Sequence, residues 1–324
     1  TRIVSAESTP WVMQRAFSIA KNGRPGAVFI DVPSDIALQP STMPTYKRSL
    51  ERHLSRPDSK AVVEAAGRIR KAKHPIIICG SGAVSSGAGG TLSTLARQIG
   101  AALYTTPGGR GTYPEDHSLC LGQIGLYFTA AGKTYFDQSD LVISVGSRLE
   151  DFSTGGWSLW PPKAKFVQID IDPQAIGLNL RPDTALVGDA ALATADLLDA
   201  LDDKTSDSVV RRCIAIEKLQ SRYVSKVERE LKKQSKPISG REVVGAINRV
   251  FGKNTILVHE NGGADLWSYY WPYYRVLDAG DCIPMGEQTA MGMGVIGAIA
   301  AKMAAPNKNV VCVTGDGAMQ MAMM

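Results

Sequence analysis

The chain has 324 residues, 36 Lys+Arg against 31 Asp+Glu for a formal charge of +5, and 44% hydrophobic residues. No apolar run approaches the roughly 20 residues of a membrane helix, and the apolar fraction is too high for a disordered chain, so a membrane span and wholesale disorder are both excluded. The basic residues are scattered apart from small clusters such as Arg68, Arg70, Lys71 and Lys73, or Lys232, Lys233 and Lys236. These read as solvated helix faces, and no nucleic-acid partner is expected.

At roughly 100 to 200 residues per domain, two or three domains are expected. Apolar side chains at Trp11, Val12, Ala16, Phe17, Ile19 and Ala20 predict a helix over Trp11 to Lys21 with Asn22-Gly23 as its C-cap. Ala27 to Val32 reads as a buried strand. One helix and one strand cannot bury a core, so residues 1–39 read as the end of a domain, followed by a Pro-, Ser- and charge-rich linker over 40–58.

Residues 59–203 alternate between the two periods. Helices are expected over Ala61 to Ala72 and Gly90 to Ile99, and strands over Pro75 to Cys79, Leu141 to Val145 and Phe166 to Ile171. That alternation predicts an α/β fold with a Rossmann-like parallel sheet as the middle domain. Residues 204–236 form a charged connecting helical segment. Residues 237–324 begin a second α/β domain, with a helix over Gly240 to Val250, a strand over Ile256 to Val258, a helix within Gly292 to Met303 and a strand over Val310 to Val313.

The five cysteines (Cys79, Cys120, Cys213, Cys282, Cys312) are far apart, without a CxxC pair, and the four histidines lack ligand spacing. Reduced thiols in a cytoplasmic protein are expected, with no His/Cys metal site. Thr1 to Pro10 is polar and lacks the apolar core of a signal peptide. A first residue that is not Met suggests a chain cut from something longer.

Three segments are candidates for chemistry. The strand at Val310 to Val313 ends in Gly315-Asp316-Gly317-Ala318, where glycines admit a phosphate to backbone amides and a carboxylate can hold its Mg²⁺; by itself this reads rather as an Asp-Gly turn after a core strand. The strand at Ile256 to Val258 runs into Gly262-Gly263-Ala264-Asp265, an anion nest or a flexible turn. Gly286 to Gly294, with Thr289 and Met291, precedes a helix of small residues that permits close approach by a ligand or a neighbouring helix. Gly80 and Gly82 suit a nucleotide turn or an ordinary strand-to-helix turn. The aromatic run from Trp267 to Tyr274 would shape a pocket or pack as a patch.

In this order the three segments resemble the diphosphate-binding domain of thiamine-diphosphate (ThDP) enzymes, the family that includes acetohydroxyacid (acetolactate) synthase, pyruvate oxidase and oxalyl-CoA decarboxylase. "GRPGAVFIDVPSDI" (Gly23 to Ile36) is similar to the end of that family's pyrimidine-binding domain. "GGRGTYPEDH" (Gly108 to His117), "DLVISVGSRLEDFSTG" (Asp140 to Gly155) and "FVQIDIDPQAI" (Phe166 to Ile176) are similar to its middle domain. The resemblance implies a Rossmann-like middle domain flanked by partial ThDP-binding α/β domains: 1–39 from the pyrimidine-binding domain, and 237–324 from the start of the diphosphate-binding domain.

It further implies ThDP and Mg²⁺ as cofactors. Asp316 would ligate the metal, the Gly262 to Asp265 loop would contact the diphosphate, Met291 would prop the cofactor in its bent form and the Thr289 backbone would meet the aminopyrimidine. In the middle domain, relatives bind FAD, ADP or nothing. FAD contacts carried over by position are Arg148, Asp170, Ile171 and Asp189. The chain departs from the FAD-binding pattern at Tyr127-Phe128, where a His-Gly pair is usual, and at Asp151-Phe152, where Asp-Arg is.

The catalytic Glu of the pyrimidine-binding domain and the second metal ligand would lie outside the chain, so no catalytic residue is named. The implied activity is decarboxylation of a 2-oxo acid, pyruvate above all, with carboligation to acetolactate, by a homodimer or homotetramer. The alternatives are a related decarboxylase or lyase acting on another 2-oxo acid or acyl-CoA, and a non-catalytic nucleotide-binding fragment.

Overall fold

The computed structural model describes residues 1–40, 52–201, 206–233, 235–286 and 289–323. The chain divides into two compact units, Thr1–Arg56 and Pro57–Met324. In the first, α1 (Thr9–Lys21) buries Val12 and Ala16, and α2 (Ser34–Ala37) follows. The expected strand over Ala27 to Val32 does not form: the described residues of this unit have one β-bridge, Arg2 with Asp31, and Phe29 and Val32 are exposed. A strand needs a lateral partner along its length, and here the backbone of Asp31 pairs with Thr1 and Ile3 and the Phe29 carbonyl accepts from the Thr1 amine, too few contacts for a ladder. Most of the expected linker lies outside the described residues.

The second unit opens with α3 (Ser59–Lys71). Asp58 caps it by accepting from the Lys60 and Ala61 amides at 2.8 and 3.2 Å, and Val62, Ala65, Ala66 and Ile69 form its buried stripe. Then come β1 (Pro75–Cys79), α4 (Ser81–Ser85), α5 (Gly89–Ile99), β2 (Ala102–Thr105), β3 (Cys120–Gln123), α6 (Ala130–Phe136), β4 (Leu141–Val145), α7 (Asp151–Thr154), β5 (Lys165–Asp170), β6 (Thr184–Val187), α8 (Ala190–Ala200) and the long α9 (Asp207–Leu231). The six strands form one parallel sheet in the order β3-β2-β1-β4-β5-β6. This is the doubly wound arrangement, whose order reverses between β1 and β4.

Strands β1 and β4 are buried at every residue, as a sheet covered on both faces requires. Helices α3, α5 and α8 pack on one another and on the sheet. Strands β2, β3 and β6 have four residues each and no β-branched run, so their periodicity is mute; the neighbouring strand supplies the partner that makes each one a strand.

Helix α10 (Gly240–Phe251) starts with a reciprocal cap between Ser239 and Glu242. It leads to β7 (Thr255–Val258), α11 (Leu266–Tyr269), β8 (Cys282–Ile283), α12 (Met293–Ala304), β9 (Asn309–Cys312) and α13 (Asp316–Ala322). These strands form a second parallel sheet, β8-β7-β9. Among the described residues no helix is long and apolar enough to cross a membrane.

Candidate cofactor site at the ends of β7 and β9

Adjacent parallel strands deliver their following loops to one edge of the sheet, and here β7 and β9 are hydrogen-bonded neighbours. After β7 the chain runs through Asn261-Gly262-Gly263-Ala264-Asp265 into α11; after β9 it runs through Thr314-Gly315 into α13, whose first residue is Asp316. The loop before α12 brings in Thr289, Met291 and Gly292. Contacts tie the three together. Asn261 Nδ2 donates to the Thr289 carbonyl at 2.6 Å. A Cβ on Gly315 would stand 3.7 Å from the Ala264 Cβ, and one on Gly317 would stand 3.9 Å from the Met291 Cε. All of the residues singled out in these segments therefore gather at one edge, apart from Glu287 and Gln288, which lie outside the described residues.

Room for a ligand exists there. Gly262, at φ +136°, and Gly263 have no atom within 4 Å of where a Cβ would stand. Gly263, Ala264, Asp316 and Gly317 are exposed, as is Met291, whereas Ala318 is buried and anchors α13. Thr289 has φ +46°, an unfavourable conformation for a β-branched residue and one that turns the chain into the site. Its carbonyl already accepts from Asn261 but keeps a second lone pair.

Two buried residues that sequence reasoning passed over hold this edge in shape. The Glu260 carboxylate, 1% exposed, accepts from the Asn261 amide at 2.7 Å and from the Gly292 and Gly294 amides at 3.1 Å each. It thereby caps α12 and fastens two of the loops. Only the acidic residue's position two residues after a buried strand hinted at this role.

The other is Arg110, 1% exposed. Its five N–H groups find five acceptors: the Glu115 carboxylate at 2.7 and 2.6 Å, the Ser268 carbonyl at 2.5 Å, the Tyr274 carbonyl at 3.2 Å and His259 Nε2 at 3.3 Å. A guanidinium can only donate, so Nε2 accepts and the proton of His259 sits on Nδ1, facing the Asp265 carboxylate at 2.8 Å. Burial pushes the His259 pKa below its ordinary value, outweighing the pull of Asp265. Asp265 thus turns its carboxylate inward, to His259, the Glu260 amide at 3.1 Å and Ser268. It contributes to the loop from beneath.

The aromatic run is packing. Trp271 is fully buried with its Nε1 donating to the Glu115 carbonyl at 3.0 Å, and Tyr269 stacks on His259 with ring centroids 3.7 Å apart.

The residues singled out in the middle domain also share an edge. Arg148 follows β4, Asp170 ends β5 with half-buried Ile171 next, and Asp189 follows β6, so all four lie at the carboxyl ends of three adjacent strands. Arg148 pairs with Glu150 at 2.5 Å, and the Asp170 carboxylate accepts from the Asp172 amide at 2.9 Å. Asp189 caps α8 through the Ala191 and Leu192 amides at 3.0 and 3.2 Å. Gly80 and Gly82 abut Gly146 across the β1/β4 reversal; a Cβ on Gly80 would come within 2.3 Å of the Gly146 carbonyl oxygen. Contact between the two loops accounts for these glycines without a ligand.

Among the described residues, no group of three or more His, Cys, Asp or Glu side chains is arranged to hold a metal ion. All five cysteines are free thiols.

Parallel sheets with flanking helices define an α/β protein. Sequence comparison sharpens this: residues 62–201 match the family described as "Thiamine pyrophosphate enzyme, central domain", and residues 262–324 match "Thiamine pyrophosphate enzyme, C-terminal TPP binding domain". The chain belongs to the thiamine pyrophosphate enzyme family. It is 33% identical over 98% of its length to a probable acetolactate synthase large subunit of Methanocaldococcus jannaschii, covering 54% of that protein. It is 29% identical to an acetolactate synthase large subunit of Cyanidium caldarium over 96% of the chain and 54% of the relative. The acetolactate synthase of Mycobacterium bovis is likewise 29% identical over 98% of the chain and 52% of the relative. The chain thus spans about half the length of the curated relatives it matches.

Proposed function

We propose that the intact protein is a ThDP- and Mg²⁺-dependent enzyme that decarboxylates a 2-oxo acid, pyruvate foremost, and joins the remaining two carbons to an acceptor, as an acetolactate synthase does. The observation that carries this reading is the convergence of the Gly262–Asp265, Thr289–Gly292 and Gly315–Gly317 segments at one edge of the β8-β7-β9 sheet. Bound ThDP supplies the electron sink that decarboxylation of a 2-oxo acid needs.

The chain's own residues would hold that cofactor. The open backbone at Gly262 and Gly263 admits a diphosphate to amide donors, and the exposed Asp316 carboxylate, at the start of α13, would ligate Mg²⁺. Glu260, Asp265 and His259 at this edge are buried and engaged with the loops, so phosphate oxygens, water and the second ligand expected outside the chain would complete the metal's shell. Met291 presents an exposed thioether beside Gly317, where it would prop the cofactor, and the Thr289 carbonyl's free lone pair would orient its amine. Glu260 and Asp265 act from behind by fixing the loops.

A second ligand is favoured by the strand order of the middle sheet. We infer that Arg148, Asp170, Ile171 and Asp189, at the carboxyl edge where doubly wound sheets bind nucleotides, form part of an FAD or ADP site. The reading extends to a homodimer or homotetramer in the cytoplasm.

The test is to incubate the intact protein with ThDP, Mg²⁺ and pyruvate and to measure CO₂ and acetolactate. Release of CO₂ that is lost on chelation and in Asp316→Asn is expected; absence of CO₂ with saturating cofactor would overturn the proposal. Flavin absorbance of the purified protein decides between FAD and a colourless nucleotide.

A further inference from the structure

The dipeptide Asn-Gly occurs twice in the chain, at Asn22-Gly23 and at Asn261-Gly262. Asparagine is a thermolabile residue, and it is most so before glycine, whose amide nitrogen reaches the neighbouring carboxamide carbon without a Cβ in the way. The two copies are matched in exposure. Both asparagines are half-buried, both glycines are exposed, and neither glycine has an atom within 4 Å of where a Cβ would stand. What differs is how the two carboxamides are held.

Asn22 is fixed at both ends. Its Nδ2 donates to the Ser18 carbonyl at 3.0 Å across the last turn of α1, and its Oδ1 accepts from the His53 amide at 2.7 Å. Swinging its Cγ onto the Gly23 nitrogen breaks both bonds. Asn261 is tied through Nδ2 alone, to the Thr289 carbonyl at 2.6 Å; among the described residues, its Oδ1 and the Gly262 amide have no hydrogen-bond partner. The oxygen that takes up charge during attack is therefore left to solvent, and the attacking nitrogen is unengaged.

The loop also requires the residue that makes Asn261 reactive. Gly262 stands at φ +136°, a conformation that glycine adopts freely and that side chains disfavour.

We propose that Asn261-Gly262 is a self-modification site through which the edge at β7 and β9 ages. The Gly262 nitrogen bonds to Asn261 Cγ, the Cγ–Nδ2 bond breaks, and Nδ2 leaves as ammonia with the amide proton, closing a five-membered succinimide. Water then adds its hydroxyl to one of the two ring carbonyl carbons and its proton to the nitrogen, which opens the ring to aspartate or isoaspartate without any change of oxidation state. In the aspartate product an oxygen replaces the Nδ2 donor opposite the Thr289 carbonyl, so the bond that ties the two loops is lost. Both products add a negative charge to the loop. On the reading of this edge as a diphosphate site, on which the consequence for ligand binding rests, that charge repels the ligand.

Peptide mapping by mass spectrometry tests the site, after the intact protein has stood in mildly alkaline buffer; the product is recognised by an oxygen gained in place of an NH group. Asn261 should convert roughly fivefold faster than Asn22 or more, the ratio that one further restraining hydrogen bond supports. In urea, where no fold restrains either carboxamide, the two rates should converge. Equal rates in the folded protein, or the same ratio in urea, would overturn the proposal. The consequence for the ligand is read separately, from the rise in melting temperature that ThDP with Mg²⁺ produces. Asn261→Asp should weaken the apparent affinity by roughly tenfold or more, and so should protein aged to conversion, which is read in its place if the variant does not fold. A response equal to that of fresh, unmodified protein overturns the consequence. No response from the fresh protein would instead sink the cofactor reading, and the conversion rates alone then decide the site.

Discussion

His259 shows how one residue's surroundings dictate its chemistry. Its ring is wholly enclosed, between the Arg110 guanidinium, the Asp265 carboxylate and the Tyr269 ring, so the neutral tautomer is the one that folds. The sign of the linkage follows. The folded-state pKa is depressed, so at pH values below the unfolded value of about 6.5 the unfolded chain binds a proton that the folded chain refuses. Stability should therefore be fully present above about pH 6.5 and decline as the pH falls through the interval down to the folded pKa. Urea unfolding at pH 7.5 and pH 5.5 measures this, and His259→Gln should flatten the difference.

Glu260 is the complementary case, a buried carboxylate retained by three amide donors. Glu260→Gln keeps the shape but turns an NH₂ group toward N–H groups, which should cost about 1–3 kcal/mol. The same substitution should weaken ThDP binding, read from cofactor-dependent shifts in melting temperature.

At the scale of elements, the second sheet depends on a charged tie to the first. Arg110, from the loop after β2, pairs with Glu115 and reaches the carbonyls of Ser268 and Tyr274 beyond β7. Removing one partner leaves the other buried and unpaired, so Arg110→Met should destabilise by about 3–5 kcal/mol, and Arg110→Met/Glu115→Leu should recover much of that. Denaturant unfolding of the two singles and the double closes the cycle; additivity would show that the pair is uncoupled.

The close approach of loops is equally specific. A methyl on Gly109 would fall 1.8 Å from the Cys79 carbonyl oxygen, so Gly109→Ala must displace the end of β1 and should lower stability by about 1–3 kcal/mol in the same assay.

For the whole molecule, the proposed cofactor edge links folding to ligand. A ligand that binds only the folded state stabilises it by about 2.7 kcal/mol at a concentration one hundred times its Kd. ThDP with Mg²⁺ should therefore raise the melting temperature of the intact protein, and Asp316→Asn should diminish the metal-dependent part. A cofactor response unchanged by Asp316→Asn would remove that residue from the metal site.

What the sequence determined by itself was local. The helical stripes of α3 and α5, the apolar β1, the largely apolar β4 and the glycine-bearing turns at Gly262, Gly292 and Gly315 were legible because each depends on neighbours a few residues away. Strands β2, β3, β6 and β8 were not legible, since two to four residues carry no period, and pairing across the sheet makes them strands. Ala27 to Val32 is the converse, an apolar run with a strand's composition and no ladder to join. The gathering of three distant loops at one edge and the locking of Arg110 against His259 across 149 positions were decided by the tertiary structure alone. Sequence separation says nothing about which strand ends lie side by side; the parallel order of the two sheets does.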